Sequence, residues 1–148
     1  MPTTRRKASP RADAFLVRRR ISTGSPFEEK IGYSRAVLCD GWVFVAGTTG
    51  YDFATMTMPE AVADQCANAL ATIGAALAEA GASFDVVVRV RYILPDPADW
   101  PACWPIVSQA FAQARPAATM ISAGRQEPAM KIVIEVTARA ATGRGTPP

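Results

Sequence analysis

Between Val62 and Ala80 the apolar side chains Val62, Cys66, Leu70, Ile73, Leu77 and Ala80 recur every three or four residues. That spacing lays one stripe along a helix. Eight of these nineteen residues are alanine. Alanine favours helix and lets the backbone approach its neighbour closely, so the partner surface is expected to be a sheet. Thr57-Met58-Pro59-Glu60 reads as a capping box and Gly81 as a stop, which predicts a helix over about 59–80.

The flanking segments supply that sheet. Val17–Ser22 is expected to be a first strand, with Arg18 and Arg20 on one face. Residues 23–32 hold Gly, Ser, Pro and two Glu, and read as loop. Tyr33–Leu38 and Trp42–Ala46 predict a hairpin, because Asp40-Gly41 supplies the positive φ of a two-residue type I′ turn. Gly47-Thr48-Thr49-Gly50 is expected to break the second strand. Asp85–Leu94 is β-branched and alternating, so it reads as a strand with Val88, Val90 and Tyr92 on one face and Arg89 and Arg91 on the other. A second helix over roughly 99–114 contains Pro101 and Pro105, each suited to a first turn or a kink. Ala117–Ser122 and Lys131–Ala140 are the last strands.

The order β-ββ-α-β-α-ββ in 148 residues implies one domain. It is an α+β two-layer sandwich, a mixed sheet of about six strands with two helices on one face. The other face, with Val87 and Ile93 beside Arg89 and Arg91, would stand open, and self-assembly would cover it. The expected divisions are a basic flexible tail over 1–16, the domain over 17–141 and a flexible tail over 142–148.

Composition removes whole classes of chemistry. The chain has no histidine, so a Ser-His-Asp triad, a Cys-His dyad and a His-ligated metal site are excluded. Cys39, Cys66 and Cys103 contain no C-x-x-C spacing. Cys39 lies beside the hairpin turn, and its thiolate would need Arg or a helix terminus for activation. An odd cysteine count suits a reducing cytosol, so a cytoplasmic location is expected. No apolar run reaches the roughly 18 residues of a membrane span.

The basic pI of about 9.0 is mostly a tail effect. Residues 1–20 hold seven basic side chains and one acid, whereas the other 128 hold nine basic and twelve acidic. The mildly acidic body argues against a nucleic-acid groove. The Arg-rich tail reads as a solvated segment, with a binding arm or an organellar transit peptide as alternatives.

A longer pattern runs through the body. Gly32-Tyr33-Ser34-Arg35-Ala36-Val37 precedes Asp40-Gly41, Val43-Phe44-Val45-Ala46-Gly47 and Asp64-Gln65. Leu77-x-Glu79-Ala80-Gly81, Asp85-Val86-Val87, Arg115-Pro116-Ala117-Ala118-Thr119 and Lys131-Ile132-Val133-Ile134-Glu135 follow. In this order the series resembles the Rid family (reactive intermediate deaminases, also YjgF-like or endoribonuclease L-PSP) over about residues 20–140.

The resemblance implies a fold like chorismate mutase, a homotrimer and clefts between subunits for small carboxylates. It implies no metal and no organic cofactor. In the RidA branch these clefts hydrolyse 2-imino acids to 2-keto acids and ammonia. There an arginine of a P-A-R motif clamps the carboxylate, a glutamate on the last strand and backbone groups position water, and a tyrosine of the first hairpin lines the pocket. By this resemblance Tyr33 matches the tyrosine, Glu135 the glutamate and Gly47 the glycine of an S-G-Q motif, with Ala46 and Thr48 in place of its serine and glutamine. The P-A-R motif reads Pro116-Ala117-Ala118. Alignment on Pro116 and on Lys131–Glu135 needs no gap, so Ala118 falls at the arginine's position, beside Thr119.

The expected site is therefore Tyr33 and Glu135 as catalytic candidates, with Tyr33, Arg35, Gly47, Thr48, Ala118, Thr119 and Glu135 lining the cleft. Arg35 shares a strand face with Tyr33 and stands where the family commonly has Gln. It would anchor an anion or make a surface or interface salt bridge. Glu135 would be a pocket acid, a cross-strand partner of Arg89 or Arg91, or both. Arg115 and Arg125 would reach a cleft rim or sit solvated. Tyr92, Trp100 and Trp104 read as packing. Three functions compete: hydrolysis of a C=N or enamine bond other than that of simple 2-imino acids, a non-catalytic ligand-binding or scaffold trimer, and RNA cleavage. The acidic body and the absence of histidine weigh against the last.

Overall fold

The structure, a computed structural model, describes residues 18–140. The expected tails over 1–16 and 142–148, Val17 and residue 141 lie outside the described residues. Six strands form one sheet: β1 (Arg18–Ile21), β2 (Ala36–Cys39), β3 (Trp42–Thr48), β4 (Val87–Leu94), β5 (Ala117–Ser122) and β6 (Val133–Arg139). Their spatial order is β1-β2-β3-β6-β4-β5. All neighbours are antiparallel except β4 and β5. A parallel pair needs a crossover, and helix α3 (Trp100–Ala110) provides it. The other helices are α1 (Pro26–Ile31) and α2 (Val62–Glu79). The expected two-layer α+β architecture with two main helices is the one observed.

The core lies between one sheet face and the helices. Val43 and Val45 of β3, Val90, Tyr92 and Leu94 of β4, and Ile134, Val136 and Ala138 of β6 are buried against Cys66, Ala69, Leu70, Ile73, Ala76 and Leu77 of α2. Small residues at 69 and 76 allow close approach of helix and sheet. At the hairpin tip Cys39 pairs with Trp42, and Asp40 and Gly41 both take positive φ (51° and 77°), as the turn chemistry requires.

Several boundaries differ from expectation, each for a local reason. The loop expected over 23–32 contains α1. Ser25 caps it by accepting from Phe27 N, Pro26 starts it, and the Glu28 side chain reaches back to the Ser25 N–H. Helix α2 begins at Val62, after Ala61, and Thr57 is not its cap. Thr57 is instead bridged to Asp52, whose N–H donates to the Thr57 carbonyl at 2.7 Å. Gln65 Nε2 then takes the Pro59 carbonyl at 2.8 Å, which holds 51–61 out of the helix.

Val88 does not join Val90 and Tyr92 in the core. Val87 lies opposite Ala138 and Arg89 opposite Thr137, so two steps of β4 match one of β6. This bulge turns Val87 inward and leaves Val88 45% exposed. A 3-10 turn, Phe84–Val86, replaces the first residues of the expected strand. A second 3-10 turn, Pro97–Asp99, leads into α3, which stops at Ala110 and holds Pro105 inside it. The first hairpin strand begins at Ala36, and the last strand is shortened to Val133–Arg139. The second hairpin strand is not broken at Gly47. It runs to Thr48 across a register shift against β6.

The helix-free face carries Phe44, Val88 and Trp42 exposed, with Arg89, Arg91 and Ile93 of β4 beside them. Val87, expected on this face, is buried. All six residues of β5 are exposed at the sheet edge.

Candidate functional site

Four of the expected site residues come together where β2 meets the end of β3. Arg35, just before β2, is 2% exposed. Its Nη1 donates to the Gly47 carbonyl and to Thr48 Oγ1, both at 3.1 Å. Its Nη2 donates to the Tyr33 hydroxyl at 3.4 Å. The guanidinium also lies 5.6 Å from the Tyr33 ring centre and 5.0 Å from that of Phe53. Thr48 is fully buried and donates to the Ala46 carbonyl at 2.8 Å. The bulge between Val45 and Thr48 turns the Gly47 carbonyl and the Thr48 hydroxyl toward one guanidinium. Gly47 also lets β6 come close, since a Cβ there would meet Val133 Cγ1 at 3.0 Å.

Glu28 supports this cluster from below. Its Oε1 accepts from Arg35 N at 3.0 Å. Its Oε2 accepts from Ser22 Oγ, Thr23 N and Thr23 Oγ1 at 3.1 Å and from Ser25 N at 3.2 Å. Burial works to raise the Glu28 pKa, but the hydrogen bonds from Arg35, Ser22 and Thr23 together hold it below its ordinary value of 4.5. The sequence reading passed over Glu28. Its signal was Ser25-Pro26-Phe27-Glu28, a capping box with proline at its start.

Gln65, which the sequence offers only as part of the Asp64-Gln65 pair of the family pattern, is the buried polar anchor of the adjoining loops. Its Nε2 donates to the carbonyls of Pro59 and Ala129 at 2.8 Å, and its Oε1 accepts from Lys131 N at 2.9 Å. Tyr51 donates to the Glu127 carboxylate, and that bond, then burial, raises the Tyr51 pKa.

Glu135 sits on the helix-free face of β6, directly opposite Arg91 of β4. Its Oε1 accepts from Arg91 Nη1 at 2.9 Å, and the two side chains are 37% and 41% exposed. The cross-strand pairing is therefore made, with Arg91 and not Arg89. Thr119 of β5 lies opposite Arg91 in turn, so Thr119, Arg91 and Glu135 form a row across three strands.

Ala118 is not part of that row. It pairs with Val90 and lies on the helix side, lining an apolar groove of about 320 Å³ with Tyr92, Trp100, Trp104 and Phe111. Tyr92 and Trp100 pack with ring centres 4.5 Å apart, whereas Trp104 is exposed. Within one chain, Ala118 and Glu135 thus occupy opposite faces. The Gly47–Thr48 end of the cluster, on β3, lies three strand spacings from β5, roughly 14 Å at the usual distance between strands, and the Tyr33–Arg35 end, beside β2, lies four. Arg115 and Arg125 are both exposed. Cys66 and Cys103 are buried thiols facing each other between α2 and α3, and Cys39 is half-buried. Contact with Cys103, then burial, raises the Cys66 pKa, so neither the position nor the acidity of this thiol suits a nucleophile.

A two-layer α+β protein with one mixed six-stranded sheet and a buried arginine cluster at a strand bulge is the class that fold and site define. The family model described as Endoribonuclease L-PSP matches residues 24–140. The chain belongs to that family, the Rid or YjgF family. A 2-iminobutanoate/2-iminopropanoate deaminase of Capra hircus is 36% identical over 103 residues, 69% of this chain and 75% of that protein. An uncharacterized Streptomyces coelicolor protein is 33% identical over 103 residues, 70% of this chain and 77% of its own length. The crystal structure of a Mycobacterium tuberculosis member of the YjgF/YER057c/UK114 family is 36% identical, with a TM-score of 0.76 over 84% of this chain and 100% of that one. Among the described residues no helix is long and apolar enough to cross a membrane.

Proposed function

We propose that this chain forms a homotrimer whose inter-subunit clefts bind a small metabolite, and that it hydrolyses an imine or enamine without the carboxylate clamp of RidA-type enzymes. The carrying observation is the split of the site. The Arg35 cluster on β2 and β3 and the Ala118–Thr119 segment on β5 are too far apart to line one small-molecule cleft within a chain. A second copy bringing its β5 edge to the first copy's Arg35 end would unite them. The exposed β5 and the exposed Phe44 and Val88 support such a contact.

The deaminase relatives at about 35% identity favour C=N hydrolysis as the reaction class. Ala118 argues against efficient turnover of simple 2-imino acids. A methyl group makes no bidentate bond to a carboxylate, and losing such a buried pair costs about 2–5 kcal/mol. In this reading Tyr33, Thr119 and Glu135 line the cleft, and Glu135, held by Arg91, orients water or takes its proton. The reaction draws on no metal or organic cofactor.

The test is keto-acid release from 2-imino acids generated in situ by an amino-acid oxidase, trapped with semicarbazide. The native chain is expected to release little over background, and Ala118→Arg more. Native activity equal to that of a RidA enzyme would overturn the assigned role of Ala118. A light-scattering mass of one chain would remove the shared cleft.

A further inference from the structure

Among the described residues Arg35 is a buried cation with no ion-pair partner. Among the described residues the only ion pair is Arg91–Glu135. The Glu28 carboxylate is turned to the backbone N–H of Arg35, and no hydrogen bond joins it to the guanidinium. Of the five guanidinium donors, Nη1 is engaged by Gly47 and Thr48. Nη2 makes one long bond to Tyr33, and Nε, fully buried, has no partner. A buried, unsatisfied donor on a charged group is costly. The donors left free, Nε–H and the second Nη2 N–H, are not scattered. Nε and Nη2 form one edge of the planar fork, the geometry that pairs with a carboxylate through two parallel bonds.

There is also a route to that edge. Tyr33 belongs both to the Arg35 cluster and to a groove of about 750 Å³ beside β1 and α1, which Arg18, Arg20, Gly32, Ser34 and Val37 also line. Arg18 and Arg20 are exposed there and supply cations on the approach to Tyr33, beside Glu29 and beside Glu28, whose carboxylate is taken up by its own donors. Nε itself is out of contact with water, so a ligand must displace the Tyr33 or Phe53 side chain, the two rings that flank the guanidinium.

We propose that the Nε–Nη2 edge of Arg35, with the Tyr33 hydroxyl, is the carboxylate anchor of this protein, reached from the Arg18–Arg20 groove. The anchor rests on the reading of the protein as a small-metabolite binder and places the ligand's carboxylate on the β2–β3 wall. The Tyr33 hydroxyl accepts from Nη2 and donates to the anion. Glu28 fixes the backbone of Arg35, and the Gly47 carbonyl fixes the orientation of the fork.

The experiment titrates the full chain by calorimetry with pyruvate, with pyruvamide as its uncharged counterpart and with inorganic phosphate. Pyruvate is expected to bind and pyruvamide not. Arg35→Gln should weaken pyruvate about 30-fold or more, the lower end for truncating one partner of a buried charge pair. Arg35→Lys should fail to restore it, because an ammonium lacks the fork. Tyr33→Phe keeps the ring and should weaken binding about 5- to 10-fold, one hydrogen bond's worth. Tyr33→Phe decides the matter if Arg35→Gln does not fold.

Unchanged pyruvate affinity in a folded Arg35→Gln or in Tyr33→Phe overturns the proposal. Phosphate preferred to pyruvate overturns the carboxylate assignment, and no binding of either by the folded native chain overturns the anchor altogether. In each case gain of keto-acid release by Ala118→Arg, measured separately, still tells whether the cleft reading stands.

Discussion

Glu28 Oε1 accepts the backbone N–H of Arg35 at 3.0 Å, joining a helix cap to the residue that organises the candidate site. The same carboxylate takes four further donors from Ser22, Thr23 and Ser25. Glu28→Ala removes all of them and leaves buried N–H groups unsatisfied. The expected loss is about 2–4 kcal/mol, read from urea unfolding.

Acid should act through the same group. Its folded pKa lies below its ordinary 4.5, so below that pH the unfolded chain binds the extra proton. The stabilisation is therefore complete above about 4.5 and is lost as pH falls through the folded value. Urea midpoints from pH 7 down to pH 3 should fall for the native chain and fall less for Glu28→Gln. Parallel curves would remove Glu28 from the acid limb.

Gly50 packs directly on α2. A Cβ there would lie 2.5 Å from the Gln65 Cα, which is helix backbone, and 2.5 Å from the Cβ fixed to it. Gly50→Ala should cost about 1–3 kcal/mol by overpacking. The Gln65 bonds to Pro59, Ala129 and Lys131 should loosen with it, read as faster amide exchange at Lys131. A neutral melting temperature would contradict the close approach.

The Arg91–Glu135 pair calls for the opposite expectation. Both side chains are more than a third exposed, so solvent screens them. Arg91→Ala is expected to change stability by less than about 1 kcal/mol. A larger loss would mean that this face is covered in solution.

Phe44 tests that covering directly. It is 51% exposed on the helix-free face of β3. If the proposed trimer forms through this face, Phe44→Glu should leave the circular dichroism of the chain intact and shift its light-scattering mass from three chains to one. An unchanged trimer would place the interface elsewhere.

The class of the fold was legible because its signals are local. The stripe from Val62 to Ala80 gives α2 from period alone, and Asp40-Gly41 gives the hairpin because few residue pairs accept two positive φ angles. Ala117–Ser122 was bounded correctly for the same reason. The errors fall where one local signal competed with another. Thr57 looked like a cap but was taken by Asp52, and Ser25–Glu28 was a real cap hidden among loop-forming residues.

What the sequence by itself determined is the inventory: no histidine, an arginine at 35, an alanine at 118, and a periodicity that allows only an α+β sandwich. Only the tertiary structure decided which of these residues meet. Strand order places β6 between β3 and β4, so Glu135 finds Arg91, while Ala118 turns to the helix side of β5, four strand spacings from the β2 strand that follows Tyr33. A one-residue bulge exchanged Val87 for Val88 in the core. Pairing and register are long-range outcomes of packing, since a slip of one residue reverses every side chain on a strand. For the same reason no local pattern could tell that Arg35 would be buried with its guanidinium Nε unpaired.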